Sequence, residues 1–356
     1  MGVLDIFDSD AFSVHELTLA IDKLPYMPQR VGQMNLFTSR PLTTSIAIIE
    51  ERDNVLSLLP SMPRGSEQQT TRTRAARRVR AFPVPHVPYW HAILAGELEG
   101  RRAFGEENKL EVFSQIVNDE LEKMKQDHEV TMEYHRLGAL RGIVLDADGS
   151  TELYDWFDEF GVAQDTVDFN FYDGGSWDLA EPAIIIKQKI TDVTILMENA
   201  LGGTTFTGIH ALCGQTFFDA LVSHATVRKA YEWYQNNSFN RELQTIEGGF
   251  EFGGITWERY RGKIGAVNFV ELDECQFFPT GTRDVFIEAV APADFVETVN
   301  TRGQKIYAKQ ERMKWDKGIE LHTQSNVLYL CARPKVLIKG TMSNTAPTTT
   351  AAPTTT

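Results

Sequence analysis

The densest chemistry in this chain is cationic. Residues 64–80 read RGSEQQTTRTRAARRVR, with six arginines, one glutamate and no apolar side chain larger than valine. Arg64, Arg72, Arg74, Arg77, Arg78 and Arg80 against Glu67 give +5; the whole chain carries −14, so the remainder sums to −19. An arginine fork binds a carboxylate or phosphate through two parallel hydrogen bonds. A basic, polar segment in an acidic chain therefore points to an acidic partner. The candidates are nucleic acid and the acidic surface of another copy, against the plainer reading of a solvated loop. Overall acidity argues against the whole protein coating DNA. The segment also lacks aromatic residues on which unpaired bases could stack. Alternation of Thr71, Arg72, Thr73 and Arg74 suits an edge ribbon beside acidic neighbours. Protein contact is the stronger expectation and DNA contact the weaker.

The remaining motifs resolve toward structure. His128 and His135 bracket HEVTMEYH, seven positions apart. A zinc-protease helix needs its histidines one turn apart, so a helix face is expected instead. Asp146–Ser150, DADGS, opens like a calcium loop but lacks the third spaced acid and the closing glutamate, so a hairpin turn is expected. The pairs Gly202-Gly203, Gly248-Gly249 and Gly253-Gly254 fit neither a phosphate loop nor a dinucleotide fingerprint and read as turns. No nucleophile elbow occurs. Cys213, Cys275 and Cys331 are widely spaced, odd in number and form no CxxC pair, so three reduced, mostly buried thiols are expected. No catalytic residue, cofactor or metal is assigned, and the chain is expected not to be an enzyme.

These residues must be carried by a substantial fold. At 356 residues with 42% hydrophobic content, the chain can build two or three domains, or one with long extensions. No apolar run reaches the roughly 18–20 residues of a membrane span, and the acidic start lacks the features of a signal peptide, so use in a cytoplasm is expected. Gly2 suggests a myristoylation start, but Ile6 stands where Ser or Thr is needed.

Residues 1–44 read as an arm, with a short helix over Phe12–Leu24 and breaks at Pro25, Pro28 and Pro41. Residues 42–59 predict a strand, a polar turn and a second strand. Pro83, Pro85 and Pro88 predict extended backbone. Residues 45–91 thus form a long two-stranded excursion tipped by the arginines. The period of Leu110, Phe113, Val117, Leu121 and Met124 predicts a spine helix from Glu106 to Arg136. Its opposite face, Glu111, Asn118, Glu122, Lys125 and Glu129, is expected in solvent. A hairpin over Leu140–Tyr154, a helix over 180–200, a strand at Ile209–Cys213 and a helix at Phe217–Tyr234 follow. Strands are expected at Glu251–Glu258, Ala266–Leu272 and Asp284–Val290, with a last pair inside Val327–Lys339.

This order of parts resembles the lambda-like capsid protein E family of tailed-bacteriophage major capsid proteins, over about residues 25–340. The resemblance is carried by YMPQRVGQMNLF (26–37), RTRAARRVRAF (72–82), EYHRLGALRGIVLDADGSTELYDWF (133–157) and GIHALCGQTFFDALVSHATVRKAYEWY (208–234). It implies an α+β, HK97-like capsid fold. The implied divisions are an N-terminal arm (1–44), an E-loop (45–95), a peripheral domain with the spine helix (96–199) and an axial domain (200–318). Return strands of the peripheral domain (319–340) and a disordered Thr/Pro tail (341–356) complete the chain. The implied function is self-assembly, through hexamers and pentamers, into an icosahedral shell around double-stranded DNA that it does not read by sequence. Implied partners are further copies, a portal, a scaffold or protease and a decoration protein, with no membrane. The implied location is the virion capsid, assembled in the host cytoplasm. The six arginines would meet carboxylates of an adjacent copy. An encapsulin-like compartment shell is the alternative, and a soluble hydrolase without a recognisable motif the more remote one.

Overall fold

The computed structural model describes residues 30–52, 77–94, 109–169, 171, 182–224, 227–228, 249–260, 262–264, 267–268 and 270–342. The expected helix over Phe12–Leu24, the strand at 55–59 and all but the first two residues of the Thr/Pro tail lie outside them.

A short helix, α1 (Arg30–Gln33), leads into β1 (Thr38–Pro41). β2 (Ile46–Arg52) and β3 (Arg77–Pro83) then pair antiparallel as a ribbon, Ile46 opposite Pro83 through Arg52 opposite Arg77. β4 (Val87–Leu94), with Pro88 inside it, is extended as expected, and it still pairs with another strand along its whole length, from Val87 opposite Ser325 to Leu94 opposite Gly318. It is an edge strand, where a proline costs no shared ladder bond on its open side.

The spine helix, α2 (Lys109–Arg141), runs 33 residues, about 50 Å at 1.5 Å per residue. It ends at Gly142, whose φ is 94° and where a Cβ would lie 2.1 Å from the Phe157 ring. The hairpin β5 (Ile143–Leu145) and β6 (Glu152–Asp155) follows as expected, then α3 (Trp156–Phe160), capped by the Asp155 carboxylate. Next come β7 (Thr166–Asp168), α4 (Pro182–Leu201), β8 (Gly208–Cys213) and α5 (Gln215–Ser223). The helix expected to run on to Tyr234 is interrupted after Ser223, where His224 turns to extended backbone; 227–228 are helical again, and 229–234 lie outside the described residues. The strand expected at 251–258 is a hairpin, β9 (Phe250–Phe252) and β10 (Ile255–Arg259), reversed by Gly253-Gly254 at positive φ. The strand expected at 266–272 is reduced to the two-residue partners β11 (Lys263–Ile264) and β12 (Val267–Asn268). The chain closes with β13 (Glu274–Thr280), β14 (Phe286–Val290), β15 (Tyr307–Arg312), β16 (Gly318–Ser325), β17 (Val327–Cys331) and β18 (Ile338–Thr341).

These strands build a six-stranded sheet, ordered β7-β18-β13-β8-β10-β9, and two three-stranded sheets, β1-β14-β17 and β15-β16-β4. β17 and β18, expected as a pair, fall in different sheets. The six-stranded sheet, α4 and α5 share one hydrophobic cluster, including Trp257, Phe277, Phe217 and Met197. The two smaller sheets share a second, including Ile287, Leu321, Leu328 and Leu330. β14 and β15 belong to this second cluster, although they precede residue 318.

α2 serves both clusters. Val117, Leu121, Met124 and Met132 enter the second, and Tyr134, Leu137 and Leu140 the first. The expectation of a charged, solvated face holds at Asn118, which is exposed, and is corrected farther along the helix: Lys125 and Glu129 are buried, as are Glu133 and Arg136. From Met132 to Leu140 the helix passes between two packed bodies and every residue is buried, so no side remains for water there.

Candidate intersubunit surface

The arginines expected to make contacts divide into two groups. Arg64, Arg72 and Arg74 lie outside the described residues. Arg77, Arg78 and Arg80 stand on β3, opposite Arg52, Glu51 and Ile49 in register. The Arg80 guanidinium lies over the ring of Phe160, 5.0 Å from its centroid, so Arg80 engages its own chain.

The two faces of the ribbon differ sharply, because strand side chains alternate. Ala47 and Phe82 are buried on the inner face. Phe82 stands edge-on to Trp156 at 5.4 Å and to Tyr154 at 6.1 Å, and the Tyr154 hydroxyl donates to the Pro83 carbonyl. The outer face presents Ile46, Ile48, Val79, Ala81 and Pro83, all exposed, with Ile48 at 66% and Val79 at 63%. Five adjoining apolar residues on an exposed ribbon form a patch of the kind that marks an interaction surface. The sequence signal was the alternation in SIAIIE; which alternate set faced outward became visible only with the inner anchors in place.

A second exposed apolar region lies on the sheet β15-β16-β4. Trp90, 67% exposed, stacks on His322 at 5.4 Å, and Phe295 meets the same imidazole edge-on. Trp315, 88% exposed, stands at the tip of the β15–β16 hairpin with φ 67°, an unusual conformation for a bulky residue.

The arm is bolted to the body by buried charge. Arg30 binds Glu258 through both carboxylate oxygens, at 2.5 and 2.7 Å, and His210 contacts the same carboxylate at 3.0 Å. Burial would raise the Glu258 carboxyl, but hydrogen bonds from His210 and Arg30 outweigh it and hold the group below its usual range. The Glu133 carboxylate, wholly buried, accepts from the backbone N–H groups of Val31 and Gly32 and from the Tyr260 hydroxyl. Arg136 lies between Glu133 at 3.4 Å, Glu129 at 3.9 Å and Glu288 at 3.9 Å, and Tyr329 donates to Glu288. Glu129, Glu133 and Arg136 are the residues that periodicity alone assigned to solvent or left unassigned.

The motifs that could have carried catalysis carry structure. His128 is buried and contacts the Thr323 hydroxyl at 2.9 Å; His135 is also buried, with Nε2 lacking a hydrogen-bond partner among the described residues. Burial lowers both imidazoles to about 4. Asp148 takes hydrogen bonds from the hydroxyls and backbone N–H groups of Thr151 and Ser150, which hold its carboxyl well below the usual range and close the turn. Among the described residues, no group of three or more His, Cys, Asp or Glu is placed to hold a metal.

The family model described as phage major capsid protein E matches residues 13–342. The major capsid protein of Pseudomonas phage KPP10 is 28% identical over 348 residues, covering 92% of this chain and 96% of that protein. The mature capsid of bacteriophage PhiM1 superposes with a TM-score of 0.50 at 10% identity, covering 91% of this chain and 90% of that one. A capsid-protein candidate of a prophage in E. coli CFT073 superposes at 0.56 and 14% identity, covering 93% and 99%. The α+β architecture is the HK97-like capsid fold.

Proposed function

The chain belongs to the phage major capsid protein E family and is a structural protein of the head shell, and we propose that its copies join through the ribbon of β2 and β3. In this reading the ribbon is the stem of an E-loop spanning 45–95, its outer face lies on a neighbouring copy, and Arg64, Arg72, Arg74, Arg77 and Arg78 bind carboxylates there. The observation that carries it is the exposed apolar row Ile46, Ile48, Val79, Ala81 and Pro83, on a ribbon whose other face is already packed. An interface of standard size buries about 1,600 Å² in total, enough to offset the entropy of ordering such a segment.

The same reading gives hexamers and pentamers closed into an icosahedral shell around double-stranded DNA, assembled in the host cytoplasm, with a portal, a scaffold or protease and a decoration protein as partners. The division into arm, E-loop, peripheral and axial domains belongs to it too, supported by the two hydrophobic clusters that α2 joins. The shell subunit performs no catalysis of its own.

Charge reversal at Arg74 and Arg77 tests the loop. Electron microscopy of particles from that double variant is expected to show failed or incomplete assembly at low salt. Normal particles at low salt would remove the arginines from the interface. Double-stranded DNA recovered from wild-type particles separates a phage head from a compartment shell.

A further inference from the structure

Two of the three buried thiols face each other across the six-stranded sheet. Cys213 ends β8, and Cys275 stands directly opposite on β13. Their sulfurs are 3.1 Å apart although the residues are 62 positions apart in sequence. The adjoining pair, Gly214 and Glu274, shares a backbone hydrogen bond of 2.8 Å from Gly214 N–H to Glu274 carbonyl. Hydrogen-bonded and non-hydrogen-bonded pairs alternate along an antiparallel ladder, so Cys213 and Cys275 occupy the non-hydrogen-bonded kind. In such a pair the Cα atoms approach to about 4.5 Å with the side chains on one face, inside the range of about 4.4–6.8 Å that a disulfide spans. On the far side of Cys275 the register partner is Gly340. A Cβ there would sit 3.3 Å from the Cys275 Cβ and 2.7 Å from the Phe277 ring, so the glycine leaves room beside Cys275 for its side chain to turn.

We propose that Cys213 and Cys275 form a modification site, a cross-strand disulfide made when the shell protein meets a low-molecular-weight disulfide oxidant. One cysteine thiolate attacks the oxidant, forming a mixed disulfide and releasing one small thiol. The second thiolate displaces the other small thiol and closes the bond. Two protons and two electrons leave the cysteines and reappear on the two small thiols. Cys331 is outside this chemistry, because it stands on β17 opposite Phe286 in a different sheet. Burial pushes the Cys275 thiol well above its ordinary value, and the nearby Cys213 adds to the effect. The dithiol is therefore stable in a reducing cell, and closure waits for the sheet to open locally and for an oxidising medium. The bond would staple the two central strands of the six-stranded sheet.

The test uses the full chain. Shells are held with oxidised glutathione, and a second sample is unfolded in urea and refolded in the same oxidant, so that burial cannot hide the thiols. Both are denatured, alkylated and mapped by mass spectrometry. The expected result is a peptide pair joined through Cys213 and Cys275, lighter by two hydrogens than the reduced pair, with Cys331 alkylated; the refolded sample closes faster. Cys213→Ser is expected to abolish the linked pair and leave Cys275 alkylated or glutathionylated, while Cys331→Ser leaves the link intact. Three alkylated thiols in both samples, or a link through Cys331, would overturn the proposal.

Discussion

At the residue scale, the chemistry that looked catalytic is what holds two bodies together. His128 and His135 stood out in sequence for a spacing that fails a metal, and the structure buries both between α2 and its sheets. Their pKa values fall from 6.5 to about 4, burial being the main cause, with His322 adding to the effect at His128. Between those values the unfolded chain binds more protons than the folded one. Their contribution is thus full above about pH 6.5 and is lost as pH falls toward 4, up to about 3 kcal/mol for each. Calorimetry should show the unfolding temperature dropping between pH 7 and pH 5, and dropping clearly less in the double variant His128→Gln, His135→Gln. Equal slopes would mean that other groups set the acid response. Glu133 gives a second prediction. It accepts two arm N–H groups and the Tyr260 hydroxyl in a fully buried place. Glu133→Ala leaves them unpaired beside a buried Arg136 and should cost about 3–5 kcal/mol in urea unfolding, with Glu133→Gln milder. Neither role was legible from sequence. The periodicity of α2 names one stripe and cannot reveal that a second body covers the other side.

At the element scale, local signals found most of the parts and missed where they pair. The long period of α2, the Asp148-Gly149 turn and the Gly202-Gly203 stop gave a helix, a hairpin and a helix end that the structure keeps. Pairing is non-local, so β17 and β18, only seven residues apart, serve different sheets. The two halves of the ribbon pair as read, and the alternation of SIAIIE was visible, but the inner anchor Phe82 depends on Tyr154 and Trp156 from the distant hairpin. Removing that anchor should free the ribbon without unfolding the body. Phe82→Ala is expected to cost about 3 kcal/mol locally. Hydrogen exchange should then lose protection at Ile46–Ile49 while the strands β8 and β13 keep theirs. Uniform loss across both regions would show that the ribbon is not a separate cooperative unit.

At the scale of the whole molecule, the charge imbalance and the apolar ribbon face make different demands on assembly, and salt separates them. A segment of +5 facing a remainder of −19 is attractive at long range, but exposed charges farther apart than a Debye length, about 10 Å at 0.1 M salt, are screened. Burial of Ile46, Ile48 and Val79 against a neighbour is insensitive to moderate salt, and each fully buried side chain is worth about 1.5–3 kcal/mol. The arginines should therefore set how fast copies meet and in what register, while the apolar face sets how tightly they hold. Light scattering of assembling subunits can read both. The double variant Ile48→Asp, Val79→Asp is expected to raise the critical concentration for shells at least tenfold at low and high salt alike. The arginine reversal at positions 74 and 77 should slow assembly most at low salt and converge on the wild type as salt rises. Should the aspartate variant assemble normally at both salt concentrations, the outer face of the ribbon would not be an interface, whatever the arginines do.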